Sequence, residues 1–145
     1  SLLTTQSHAM TWVMEVLKEK ELFFVDSRTS ARSQGYEIAL MKGIDSAKRD
    51  IFLDHELDID HIHQQFKKAL NIAQKYGSAI AIGHPHTETL QYLNHVLPQL
   101  TGTRVSIRSV SELLNEGMQF RPDSARESVP AITPELDALV SKLTQ

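Results

Sequence analysis

Short continuous apolar runs alternate along this chain with stretches of helical periodicity, and that alternation narrows the possible folds more than any other feature. Leu22–Val25, the centre of Lys48–Asp54 at Ile51, Phe52 and Leu53, and Ser78–Ile82 lack the polar-apolar alternation of a half-buried strand. They read as strands buried on both faces, as in a parallel sheet. Between them lie the helices. In Ser7–Lys20, Met10, Val13, Met14 and Leu17 recur at i, i+3, i+4 and i+7, which is one helical face. Ala31–Lys42 is a weaker helix with Gly35 inside it, and Thr29 or Ser30 is placed to cap it. Leu57–Tyr76 is strongly periodic through Ile59, Ile62, Phe66, Ala69, Leu70 and Ala73, and Gly77 closes it as a C-terminal glycine. After His86, Thr87 caps a helix carrying Leu90, Leu93, Leu97 and Leu100. Thr103–Ile107 then reads as a fourth strand, and Ser111 as the cap of a short helical turn at Glu112–Asn115. The order is helix, then strand and helix repeated, then strand and turn, which predicts an α/β fold with a parallel sheet and right-handed crossovers.

Such folds bind ligands at the carboxyl ends of their strands, where side chains from several strands converge. The polar chemistry of this chain begins at those points. Ser78–Ile82 runs through Gly83 into His84-Pro85-His86, a stiff segment rich in ring nitrogens. Leu22–Val25 ends at Asp26, Ser27 and Arg28, and the third run ends at Asp54. A carboxylate beside an imidazole favours its charged form and fixes its tautomer, as a general acid requires. Asp26 and His84 are therefore expected to meet in one hollow. Arg28, His86 and Asp54 are expected to line it and bind substrate. The plain alternatives are an Arg28–Asp26 ion pair at the surface and Asp54 as a cap or salt-bridge partner. His61 and His63, two apart on a helix, point in different directions and cannot share a metal. They are expected at the surface.

The totals bound the function from outside. At 145 residues, with 41% hydrophobic and 23% charged side chains, the chain suits one globular core. A net charge of -3 offers no basic stripe, which argues against nucleic acid and anionic membranes as partners. The absence of cysteine excludes disulfides and thiolate metal sites but leaves histidine and carboxylate sites open. No stretch approaches the length of a membrane span. The chain opens at Ser1 rather than Met, with a helix that has no strand before it. It is therefore expected to be the second half of something larger, occupying residues 1–117 and followed by an extended tail over 118–145 with a short helix at Pro134–Leu143.

Phe23-Phe24-Val25-Asp26-Ser27-Arg28-Thr29-Ser30, Arg49-Asp50-Ile51-Phe52-Leu53-Asp54 and Ala79-Ile80-Ala81-Ile82-Gly83-His84-Pro85-His86 together resemble the divergent polysaccharide deacetylase family. The segments occur in the family's order and spacing across roughly Ser1–Leu114. The resemblance implies a distorted (β/α) barrel, here only its carboxyl-terminal part, related to enzymes that remove N-acetyl groups from sugar polymers. It implies a divalent metal, usually zinc, held by an aspartate and two histidines, with a second aspartate as base. Those groups belong to a segment preceding Ser1, which in the family ends in an Asn-Asn-His-Met-Gly type motif. It also implies a late-strand histidine as general acid, matched by His84, and an aspartate from an earlier strand end supporting it, matched by Asp26. Here Gly83 precedes the histidine and Pro85-His86 follows, a departure from the superfamily's plain motif of an apolar residue followed directly by histidine.

The resulting expectation is a metal-dependent hydrolase of carbohydrate amide or ester groups, periplasmic or secreted, with this chain supplying the general-acid side. The missing amino-terminal half or a partner chain would cover the exposed sheet edge. Two other readings remain. His84-Pro85-His86, with Asp26 or Asp54, forms a His-x-His metal pair of the amidohydrolase kind, since alternate residues on a strand share a face. Alternatively, the fold serves as a carbohydrate- or partner-binding module without catalysis.

Overall fold

The computed structural model describes residues 2–116, apart from 102 and 104; the expected tail and its helix lie outside the described residues. A short 3-10 turn at Leu3–Thr5 leads into α1 (Ser7–Glu19), followed by β1 (Phe24–Asp26), α2 (Gly35–Met41), β2 (Ser46–Lys48), β3 (Ile51–Phe52), α3 (Ile59–Tyr76), β4 (Ala81–Ile82), α4 (Thr87–Val96) and α5 (Val110–Asn115). A second 3-10 turn, Leu97–Leu100, continues α4 and carries Pro98 at its start.

The elements gather into two compact units. One holds the chain through Arg49 together with the segment from Arg108, and the other holds Asp50–Ile107. In the first, β1 and β2 pair in parallel with Phe24 opposite Ser46, Val25 opposite Ala47 and Asp26 opposite Lys48. Met10 and Met14 of α1 pack with Ile38 and Ala39 of α2 and with Ile44 to form its core. In the second, β3 and β4 pair in parallel with Ile51 opposite Ala81 and Phe52 opposite Ile82. Its core joins Leu53, Ile62, Phe66, Leu70, Tyr92, Val96 and Leu100, so the periodic face of α3 meets α4 as its spacing requires.

The α/β character and parallel pairing agree with the sequence reading, but closure into a barrel is not shown: the described strands make two two-stranded sheets. Several element boundaries also differ. Leu22 and Phe23, expected inside a buried strand, are exposed, and β1 starts only at Phe24. Lys48–Asp54 is not one strand. Arg49 N donates to Asp26 O and Asp50 N donates to Ile80 O, so the chain changes partner strands between those two residues. No strand forms among the described residues of 103–107. Thr103 instead donates its hydroxyl to Leu100 O at 2.7 Å and accepts from Val105 N at 3.2 Å, a local side-chain bond that competes with sheet pairing. The helix expected from Ala31 begins at Gly35 with no side-chain cap. The last helix is capped by Ser109, not Ser111, through a reciprocal capping box with Glu112. Gly77 ends α3 at φ 86°, donating to Ala73 O, a left-handed conformation in which glycine carries no Cβ penalty.

Candidate functional site

The register of β3 and β4 builds the site. Phe52 lies opposite Ile82, and Asp54 and His84 each follow two residues later, just beyond the carboxyl ends of the strands. Asp54 has a fully buried side chain, whereas the His84 side chain is 55% exposed. The carboxylate bridges from one strand end to the next. Its Oδ2 accepts from His84 N at 2.5 Å and from the Thr89 hydroxyl of α4 at 2.8 Å, and its Oδ1 lies 3.2 Å from His84 Nδ1. An ionised carboxylate only accepts hydrogen bonds. His84 Nδ1 therefore carries a proton and donates it, leaving Nε2 as the ring's outward-facing nitrogen. Burial acts to raise the Asp54 pKa, but the bonds from Thr89, the His84 backbone and the His84 ring outweigh it and hold the carboxyl below its ordinary 3.8.

Gly83 makes this approach possible. A Cβ at that position would stand 3.2 Å from Asp54 Oδ2 and 3.2 Å from Thr89 Cγ2, so any side chain would press on the carboxylate. Phe52 meets the His84 ring edge-on at 5.3 Å, and the His86 ring lies 5.4 Å from it. His86 forms the N-terminal boundary of α4 and accepts from Leu90 N through its carbonyl. Donor atoms of Asp54, His84 and His86 all lie within 4.8 Å of one another.

Asp26, expected to be the partner of His84, is engaged inside its own unit. Ser33 donates its hydroxyl to Asp26 Oδ2 at 2.7 Å, Tyr36 N donates to the same oxygen at 3.1 Å, and Arg28 N donates to Oδ1 at 2.8 Å. The carboxylate that bonds to His84 is that of Asp54. Arg28 holds Asp26 through its backbone amide, not through the expected ion pair; its guanidinium stands 3.6 Å from Glu37. Its φ of 47° is a left-handed conformation uncommon outside glycine, and Arg49 fastens the turn by bonding to the carbonyls of Ser27 and Arg28. His61 and His63 do diverge as their spacing requires, but His63 is not at the surface. It is buried, with Nδ1 2.9 Å from the Tyr92 hydroxyl. Burial pushes the Tyr92 pKa above its ordinary value.

Thr87 does not cap α4 as expected: the helix includes it and has His86 as its N-cap, with no side-chain cap bond, while Thr89, which the sequence reading does not single out, is the threonine of this helix that bonds to Asp54. The available signal was an equal count from two strand ends: Asp54 and His84 stand 30 residues apart, as do the paired residues of β3 and β4. Among the described residues, no helix is long and apolar enough to cross a membrane.

Comparison with known proteins places these features in a family context. The family model for divergent polysaccharide deacetylase matches residues 1–114. An uncharacterized protein of Haemophilus influenzae is 44% identical over 100 residues, covering 69% of this chain and 36% of that protein. The uncharacterized protein YibQ of Escherichia coli is 33% identical over 130 residues, covering 90% of this chain and 40% of that protein. The chain thus spans well under half the length of both relatives. A crystal structure of an uncharacterized protein from Agrobacterium tumefaciens C58 superposes with a TM-score of 0.73 at 24% identity, covering 77% of this chain and 45% of that one. This last likeness concerns the fold alone.

Proposed function

This chain belongs to the divergent polysaccharide deacetylase family, and on that premise we propose that it supplies the proton-donor side of a hydrolase acting on carbohydrate amide or ester groups. The observation that carries the reading is the Asp54–His84 contact: a buried, ionised carboxylate fixes His84 Nδ1–H. When Nε2 of this half-exposed ring also carries a proton, the imidazolium can give that second proton to a departing nitrogen or oxygen and return to the Nδ1–H neutral form. Asp54 takes the supporting role first assigned to Asp26, whose oxygens are occupied by Ser33, Tyr36 and Arg28. His86 is assigned to substrate binding beside His84. The proposed setting is periplasmic or secreted, in keeping with a polymeric carbohydrate substrate.

A divalent metal is implied by the family, with ligands expected from a segment preceding Ser1. When bound, such an ion polarises a carbonyl and makes water a better nucleophile. One observation favours a second reading in which the metal is held by this chain: Asp54, His84 and His86 converge closely enough to share an ion, and their oxygen and nitrogen donors suit zinc. Against it, both oxygens of Asp54 already accept bonds from His84 or Thr89, an arrangement that orients a histidine.

Acetate release from N-acetylated and O-acetylated sugar polymers, measured on the full-length protein alongside its metal content, separates the readings. His84→Ala is expected to lower turnover by about 10²–10⁴-fold with bound metal unchanged, and Asp54→Asn to lower it in the same direction. Equal loss of metal and turnover in His84→Ala would make His84 a ligand. Undiminished turnover would remove it from the reaction.

A further inference from the structure

A second cluster of ring nitrogens lies outside this dyad, on the loop between β3 and α3. His55 and Glu56 directly follow Asp54, and the loop then reaches Asp58, the N-cap of α3, whose Oδ1 accepts from His61 N at 2.8 Å. This capping turn folds the loop back over the first turn of the helix. His61 Nε2 comes 3.3 Å from His55 Nδ1, with the two rings nearly perpendicular at 89°. Glu56 reaches both rings, 3.5 Å from His61 Nδ1 and 3.7 Å from His55 Nε2. Gln65, one turn further along α3, places its amide 3.0 Å from His61 Nε2.

We propose that His55, Glu56 and His61 form a binding site for a divalent transition metal of the zinc class, closing the loop after Asp54 onto α3. Three features support it. Donor atoms from all three residues lie within 4.8 Å of one another, and two imidazoles with one carboxylate are a donor set that zinc accepts. Glu56 stands 3.5 Å from His61 Nδ1 and 3.7 Å from His55 Nε2, close to the roughly 3.3–3.4 Å that separates two ligand atoms on a tetrahedral zinc with bonds of about 2.0–2.1 Å. Finally, Gln65 lies 3.0 Å and His55 Nδ1 3.3 Å from His61 Nε2, so that nitrogen is held by neighbours while His61 Nδ1 faces Glu56. Turned over, Gln65 presents its carbonyl to His61 Nε2 and accepts that nitrogen's proton, the outer hydrogen bond that a ligating imidazole commonly makes. The site does not draw on the Asp54–His84 reading and stands whether or not that dyad is catalytic.

The test counts zinc. Full-length protein is stripped with chelator, dialysed against a zinc salt and measured for bound metal, with isothermal titration giving the affinity of each step. His55→Ala and His61→Ala are each expected to remove one zinc equivalent, or to weaken that step by at least about tenfold. Outer-shell losses alone cost about 10–100-fold. His84→Ala should leave this step in place. His55→Gln, which keeps a polar side chain at a half-exposed position, guards against a folding artefact and should show the same loss. Unchanged stoichiometry and affinity in both alanine variants, or loss of this step only in His84→Ala, would overturn the proposal.

Discussion

Asp54 has a buried carboxylate whose charge is maintained against burial by three donors, two from His84 and one from Thr89. Its pKa lies below the ordinary carboxylate value, so the folded chain binds the proton less readily than the unfolded chain does. The stabilisation linked to this shift is present above the unfolded value and is lost as pH falls through the folded one. Thr89→Val removes one donor from a site with no water-facing alternative, since Thr89 is only 1% exposed. It is expected to cost about 1–3 kcal/mol near neutral pH. The difference from the parent chain should narrow in acid, where Asp54 is protonated. Denaturant midpoints at about pH 6 and through a series of lower pH values descending past the ordinary carboxylate range check both the magnitude and the sign. A gap that widens in acid would contradict the assignment.

Among the elements, α3 shows how local sequence sets boundaries. Asp58 caps its start, the apolar stripe runs through Ile62, Phe66 and Leu70, and Gly77 ends it in a left-handed turn. A Cβ at Gly77 would meet nothing within 4 Å, so Gly77→Ala isolates the backbone cost and is expected to destabilise by about 1–2 kcal/mol without altering packing. Thermal unfolding with an unchanged folded-state spectrum would show this. α3 could be read from the sequence because its signals are local. The strands could not be read in the same way: Lys48–Asp54 reads as one strand with an apolar centre at Ile51, Phe52 and Leu53 and charges at both ends, and only the pairing partners, β1 for one part and β4 for the other, divide it in two.

For the molecule as a whole, two separate cores predict two separate responses to cavities. Met14 is fully buried in the first unit and Ile62 in the second, and truncating either is expected to cost about 2–5 kcal/mol. Amide exchange should accelerate most within the unit that carries the substitution: α1 and α2 for Met14→Ala, α3 and α4 for Ile62→Ala. Uniform acceleration in both would mean that the units open together.

Periodicity, caps and motif order are local properties of a chain, so the alternation of elements, the strand-end position of Asp26, Asp54, His84 and His86, and the family likeness could all be read from residue order alone. Which carboxylate touches His84 was decided only in three dimensions. Asp26 and Asp54 look alike in sequence, each an aspartate after an apolar run, and they are separated by hydrogen bonds that depend on strand pairing and register. Parallel pairing of β3 with β4 carries Asp54 to His84, and Gly83 leaves room for the carboxylate beside Thr89. The same folding brings His55 to His61 across a helix cap. Spacing along the chain points to the first contact only once β3 is known to pair with β4 in that register, and to the second only once the Asp58 cap turns the loop back on α3, because each joins groups held by different elements.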